Sequence, residues 1–408
     1  MAKRVVVTGI GAITPVGNDV KTFWDNLISG ANGIDTITRF STENFKCTLA
    51  AEVKNFNPLD HFEKMFVGKT DLYVLYALCC AGEAVADSGI EGKIDPEELS
   101  VYFGSGVGGI ITLCDENIKC ANQGPRRVSP QFIPKMIINI AAGQIAIKYK
   151  AHGNAMCIST ACATGTSALG EAYRAIKDGY TTAAICGGSE AAVNPLCIAG
   201  FQNLQALSQS QDKNAASLPF DARRGGFVLG EGAGAVILEE YEHAKARGAH
   251  IYCEMVGYGA TCDAHHITAP DTEATYTAKA ITKALEGVEY TPEKTYINAH
   301  GTGTHYNDLA ETAAFKKAFG ESAYRLSVSS TKSMTGHMLG AAGAVEAIAC
   351  IKALETGTVP PTINLTEKDP ECDLNYTPGT AVRKELDVAL STSLGFGGHN
   401  ACVAFKKL

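Results

Sequence analysis

The sequence has no excess of positive charge. Lys and Arg number 35 against 43 Asp and Glu, a formal net charge of −8. A nucleic-acid binder carries the opposite balance, so that class is set aside. There is no C-x-x-C pair among the 14 cysteines, which argues against a zinc ribbon or a thioredoxin-like site. Neither H-x-x-x-H nor H-E-x-x-H occurs, and the adjacent His265 and His266 would point apart in a strand. No catalytic metal is therefore expected. No apolar run reaches the roughly 18 residues of a membrane span, so no membrane insertion is expected. Charged residues make up only 19% and hydrophobic ones 46%, which excludes a disordered chain. No low-complexity linker divides the sequence.

The first residues need one check. Met1–Arg4 followed by Val5–Ile13 looks like a short signal peptide. Gly9, Gly11 and Pro15 interrupt the apolar run, however, and no clean cleavage site follows. A buried strand is the expected reading.

What is present is glycine and alternation. The 408 residues set a prior of two to three domain-sized units. The 42 glycines exceed the usual share of about 7% and imply tight turns and close backbone approaches. Cys79, Cys80, Cys186, Cys253, Cys350 and Cys402 lie in apolar runs and read as small buried hydrophobes. Reduced thiols in a cytoplasm fit a chain with this much core. Short runs at Val5–Val7, Val101–Phe103, Ala183–Cys186, Ala235–Leu238, Ile251–Val256 and Ala401–Phe405 predict strands. Thr70–Ser88, Thr164–Lys177, Thr275–Leu285, Leu309–Phe319 and Leu339–Leu354 predict helices. The alternation argues an α/β fold with mostly buried sheets.

An internal match supports two related halves. Ser159-Thr-Ala-Cys-Ala-Thr-Gly165 and Ser330-Thr-Lys-Ser-Met-Thr-Gly336 share four of seven residues at an offset of 171. Each follows a short apolar run and precedes a helix rich in small residues. Coincidence or duplication both account for the match. Under duplication, the seam falls near Gly248–Ile251, giving halves 1–250 and 251–408.

Several residues are chemical candidates. Cys162 sits between a strand and a helix, where the helix dipole favours a thiolate. It is either another buried cysteine or a nucleophile. His300, in Asn298-Ala-His-Gly-Thr-Gly-Thr304, occupies a glycine turn with little to pack against. It is either bonded to backbone or functional. His337, in Lys332-Ser-Met-Thr-Gly-His337, opens a Gly/Ala-rich helix, which would keep it neutral and able to stabilise an oxyanion. Lys332 lies near it. Glu346 either pairs with Lys332 or faces solvent. Gly395-Phe-Gly-Gly398 lets backbone N–H groups approach a ligand. Gly104-Ser-Gly-Val-Gly-Gly109 matches G-x-G-x-x-G, but the acid expected about 20 residues on is missing. Strand packing or a pocket wall is expected there instead.

Together, Thr160-Ala-Cys162, His300-Gly-Thr-Gly-Thr304 and Lys332-Ser-Met-Thr-Gly-His337, with Gly226-Phe-Val-Leu-Gly-Glu-Gly232 and Gly395–Gly398, resemble the β-ketoacyl-acyl-carrier-protein synthases. The type II condensing enzymes of fatty-acid synthesis are the nearest likeness, over essentially the whole chain. The resemblance implies a thiolase-like five-layer α-β-α-β-α fold built from two duplicated halves, and a homodimer. It implies Cys162 as nucleophile, His300 and His337 as catalytic histidines, and Lys332 as a further catalytic residue. Phe396 matches a gating phenylalanine whose N–H joins that of Cys162 in an oxyanion hole. Glu346, Asp308 and Glu311 take supporting places. Val107, Phe201, Thr268, Thr302, Thr304 and Gly395 take substrate-binding ones, Val107 in the acyl pocket. The expected partner is an acidic acyl-carrier protein, docked on Lys64, Lys69, Arg126 and Arg127. No cofactor is implied beyond the carrier's own phosphopantetheine arm.

The likeness has departures and rivals. His399 stands where many relatives have Thr, and Gln205 where some bacterial ones have Arg. A thiolase would need a second catalytic cysteine near the Gly395 loop, and Cys402 falls in the strand beyond it. An initiating type III synthase uses Cys-His-Asn. A non-catalytic chain-length factor lacks the nucleophile. A stand-alone polyketide ketosynthase has nearly the same motifs.

Overall fold

The computed structural model describes residues 2–408. Ten strands carry the architecture. The first five are β1 (Val5–Ile13), β2 (Leu99–Gly104), β3 (Ala155–Met156), β4 (Ala183–Glu190) and β5 (Gly232–Glu240). The second five are β6 (Cys253–Cys262), β7 (Thr295–Asn298), β8 (Ser327–Ser329), β9 (Val388–Gly395) and β10 (His399–Lys406). Across the sheet they run β8-β7-β9-β10-β6-β1-β5-β4-β2-β3.

This order repeats itself. Numbered within its own set of five, each set reads 1-5-4-2-3 outward from the centre. The pairing directions repeat too. Strands 1 and 5, and 5 and 4, are antiparallel, whereas 4 and 2, and 2 and 3, are parallel. The two sets meet where Val5, Val6 and Val7 pair with Met255, Glu254 and Cys253. Beyond Val7 the strands part. The N–H groups of Ile10 and Ala12, which such an edge leaves unpaired, donate to the carboxylates of Asp87 (3.0 Å) and Glu83 (2.9 Å).

Eight helices complete the layers: α1 (Leu72–Ser88), α2 (Ile110–Gln123), α3 (Ile140–Tyr149), α4 (Thr164–Lys177), α5 (Pro195–Asn203), α6 (Thr275–Ala284), α7 (His305–Phe319) and α8 (Ala342–Thr356). α4 and α8 touch each other and strands of both five-stranded sets, so they form the middle layer. α1 and α3 cover the outer face of the first set, and α6 and α7 that of the second. The result is the α-β-α-β-α stack. α8 is apolar nearly all round, as a helix packed between the two five-stranded sets must be.

Small residues set the spacing of the middle layer. A Cβ on Gly165 of α4 would lie 2.5 Å from the Ala344 nitrogen of α8. One on Gly188 of β4 would lie 2.3 Å from the Gly340 oxygen. The start of α4 and the turn before α8 therefore pack backbone to backbone. That contact brings the Cys162 and His337 segments together.

Some boundaries differ from the sequence reading. β1 runs on through Gly9 and Gly11, because α1 packs there with no room for a side chain. Their Cβ atoms would sit 2.2 and 2.0 Å from carbonyls of α1. The helix expected from Thr70 begins at Leu72, capped by the Asp71 carboxylate, which accepts from the Tyr73 N–H. The helix expected from Leu339 begins at Ala342 after a separate 3-10 turn. Cys79 is half-buried rather than buried, and all fourteen thiols are free.

Candidate active site

Cys162 lies in a 3-10 turn, Ala161–Ala163, that runs directly into α4. The residue before it, Ala161, has φ +50°. An alanine in the left-handed region is strained and needs surrounding structure to hold it. Thr160 supplies part of that hold. Its N–H donates to Thr164 Oγ1 (2.9 Å) and its hydroxyl to Ser167 Oγ (2.9 Å). Across from the turn sits the β9–β10 hairpin. A Cβ on Gly395 would lie 2.5 Å from the Thr160 oxygen and 3.2 Å from the Cys162 nitrogen, so only glycine fits.

The thiol is nearly buried, and burial dominates its chemistry. It pushes the Cys162 pKa up to about 12, opposed by the Lys332 charge and by the N–H of Phe396. The helix start expected to favour a thiolate is present, and burial acts against it.

His300 and His337 share the cavity with Cys162. Their rings meet edge to face, centroids 5.2 Å apart. His337 also meets the Phe227 ring edge to face at 5.2 Å. In both histidines Nδ1 is buried without a partner, which leaves Nε2 as the pole for a ligand. Burial, and then the positive charge of Lys332, hold both pKa values well below the usual histidine range. Both rings are therefore neutral, as expected for His337. The reason differs. His337 does not open a helix. Its backbone pairs with the 228–230 segment, donating to the Val228 oxygen (2.7 Å) and accepting from the Gly230 N–H (2.9 Å).

The supporting residues fall into two groups. Lys332 is buried and ion-paired with Glu346, also buried. The pair thus faces protein rather than solvent. Glu311 holds the His300 turn, accepting from the N–H groups of His300 (2.6 Å) and Gly301 (2.7 Å) and from Thr392 Oγ1 (2.7 Å). Burial raises its pKa to about 7. Asp308 accepts from the Phe220 N–H (2.8 Å) and the Gly303 N–H (3.3 Å), and burial raises it too.

Phe201, Thr268, Thr302, Thr304, Gly395 and Phe396 line the same cavity. The Phe201 and Phe396 rings stand 6.5 Å apart. Val107 is not part of this lining and is 40% exposed. Lys64 and Lys69, at the two ends of a short helix (Lys64–Gly68 with Lys69 next), and Arg126 and Arg127, in a 3-10 turn, are exposed and do not enter the cavity.

Sequence reasoning missed several members. Phe227, Leu339 and Asn307 line the cavity. Asn400 donates to Asp263 (2.6 Å), and the Asp263 N–H donates to the Gly398 oxygen (2.8 Å), fixing the glycine hairpin. Glu190 organises the Gly104–Gly109 loop: its carboxylate accepts from Ser105 Oγ, the Gly106 N–H and the Val107 N–H. The glycine run there serves a buried carboxylate, not a phosphate. A glutamate closing a strand with no other charged residue was the available signal.

The models for the beta-ketoacyl synthase N-terminal and C-terminal domains match residues 2–244 and 252–366. The chain is 49% identical to a protein of Synechocystis sp. named 3-oxoacyl-[acyl-carrier-protein] synthase 2, over 99% of this chain and 98% of that one. It is 47% identical to one of the same name from Staphylococcus aureus, with the same coverage. Among solved structures, a beta-ketoacyl synthase from Burkholderia phymatum superposes with a TM-score of 0.91 at 34% identity, over all of both chains. A structure of a type II PKS acyl-carrier protein in complex with its ketosynthase gives 0.92 at 34% identity, again over all of both chains. The chain belongs to the β-ketoacyl synthase family.

Proposed function

We propose that this chain is a β-ketoacyl-acyl-carrier-protein synthase of fatty-acid elongation, acting by decarboxylative Claisen condensation. The observation that carries the reading is one cavity lined by Cys162, His300 and His337. Cys162 takes an acyl group from the carrier's thioester, and the carrier leaves as a free thiol. At rest Cys162 is a thiol, so its proton must be taken up. It passes to the departing carrier sulfur, which is how the carrier leaves as the free thiol. The Phe396 N–H and the Cys162 N–H face the acyl oxygen as an oxyanion hole. Malonyl-carrier protein then enters. Nε2 of His300 and of His337 donates to its thioester oxygen, loss of CO2 places enolate charge there, and the enolate carbon attacks the acyl-enzyme. The Cys162 sulfur departs, and the product is a β-ketoacyl chain two carbons longer.

The remaining assignments belong to the same proposal. Residues 1–250 and 251–408 are duplicated halves, the first bearing the nucleophile and the second both histidines. Lys332 tunes the site electrostatically, and Phe396 beside Phe201 gates the acyl path. No cofactor takes part. The carrier is acidic and meets the exposed Lys64, Lys69, Arg126 and Arg127. The enzyme works in the cytoplasm as a homodimer. β3 lies at the end of the sheet order with Met156 45% exposed, an edge suited to a second copy.

Intact-protein mass spectrometry with a long-chain acyl-carrier protein, followed by malonyl-carrier protein, tests the reading. One adduct, absent in Cys162→Ala and discharged as a product longer by two carbons, is the expected result. No adduct with any chain length overturns it. Discharge of polyketide intermediates in preference to saturated acyl chains would favour a stand-alone polyketide ketosynthase.

A further inference from the structure

We propose that Glu190 is a positioning residue of the condensation: its carboxylate ties the turn after His337 to the loop after β2 and holds the cavity wall between Cys162 and His337. The inference rests on the condensing reading of that cavity. Glu190 ends β4 with no solvent exposure. Its Oε1 accepts from Ser105 Oγ (2.8 Å) and the Val107 N–H (3.2 Å). Its Oε2 accepts from the Gly106 N–H (2.7 Å) and the Gly340 N–H (3.0 Å). One carboxylate thus joins three segments drawn from both halves of the chain.

The Gly340 bond is the informative one. Gly340 follows Leu339, a wall of the cavity with φ +46°. A leucine in that region keeps its conformation only if its neighbours impose it. On its other side, His337 is already pinned by Val228 and Gly230. Glu190 therefore closes the second end of the Met338–Gly340 turn. No larger residue can take over at its partners: a Cβ on Gly106 or Gly340 would lie 2.6 or 2.9 Å from Oε2. All four donors are neutral. Burial raises the Glu190 carboxyl, and the aligned N–H and O–H groups, with no cation, oppose that rise; Cys162 is held up first by burial, and a charge on Glu190 adds to it.

Glu190→Gln keeps the shape but sets an amide N–H2 against backbone N–H donors. The expected result is kcat lower by about tenfold to a hundredfold, from a buried donor left unpaired, with KM for the acyl-carrier protein unchanged. Alkylation of Cys162 by iodoacetamide, followed against pH, should shift its midpoint to lower pH, because a neighbouring negative charge is gone. A purely structural role would not move that midpoint. Folded Glu190→Gln protein with wild-type kcat and an unmoved midpoint overturns the proposal. Should Glu190→Gln fail to fold, Ser105→Ala decides. It removes one donor outside the cavity, and a kcat lowered at constant KM is expected, whereas an unchanged kcat overturns the proposal. The wild-type acyl adduct is measured alongside. Its absence sinks the condensing reading itself, whereas its presence with unaltered variants sinks only the role of Glu190.

Discussion

The two halves share a strand order and have parted in chemistry. In each, the crossover after the third strand delivers a key segment to the middle of the molecule: Ser159–Gly165 from the first half, Ser330–Gly336 from the second. The first presents a buried thiol and no cation. The second presents Lys332 and, just beyond, His337. After the second strand, the first half has Gly104 and a loop wrapped on Glu190. The second has His300 in a turn wrapped on Glu311. Between the fourth and fifth strands, the first half inserts everything from Ala191 to Glu231, including α5. The second turns within Phe396–Gly398. The lesson is a division of labour. On the proposed mechanism, one half holds the acyl group and the other handles the developing charge.

That division can be broken at its strongest point. Replacing His300 or His337 by Ala should lower decarboxylation of malonyl-carrier protein by about 10²–10³-fold, the usual cost of one oxyanion donor. The acyl adduct on Cys162 should still form. Mass spectrometry of the adduct beside CO2 release checks this, and loss of both activities together would mean the halves do not divide the work. A smaller break is Gly395→Ala. Its Cβ would meet the Thr160 oxygen at 2.5 Å, so the hairpin must move away from Cys162. Overpacking of this kind costs about 1–3 kcal/mol, which should appear as a lower Tm and as slower acylation, with decarboxylation less affected.

The smallest effect concerns pH, and it sharpens the comparison through a buried glutamate in each half. Burial raises both Glu231, beside Arg39, and Glu311 to about 7. A carboxyl with a folded pKa above its unfolded value binds more protons when folded. Its contribution is present at low pH and lost as pH rises from about 4.5 toward 7, by up to about 1.4 kcal/mol per pH unit. Glu311→Gln should flatten that slope in denaturant unfolding followed from pH 5 to pH 7. Glu231→Gln should flatten it less cleanly, because it also leaves Arg39 unpaired.

Much of this was legible in the sequence, for physical reasons. Cys162, His300 and His337 stand in motifs whose residues are consecutive, so local reading finds them. The match between Ser159–Gly165 and Ser330–Gly336 pointed to topologically equivalent segments. What could not be read was set by contacts across the two halves. The thiol's high pKa comes from burial among residues distant in sequence. The neutrality of His337 comes from burial and Lys332 rather than from a helix end. The Gly104–Gly109 motif needed Glu190, eighty-odd residues further on, before its purpose was visible. Glycines 9 and 11 read as breakers because the helix that requires them lies far along the chain.

The position of β10 has a consequence for how the molecule is made. It is the tenth of ten strands in chain order, yet it lies inside the sheet, between β9 and β6. On a ribosome, the first five strands have every partner within their own set already synthesised, while the Val5–Val7 pairing with β6 and the cover of α8 come later. The second five must wait longer: β6 has β1 beside it only along Cys253–Met255, and its other neighbour comes with residues 399–406. The Phe396 hairpin, which completes the cavity beside Cys162, is fixed only at that moment. A nascent chain therefore carries the Cys162 segment long before it carries the hairpin that completes the cavity around it.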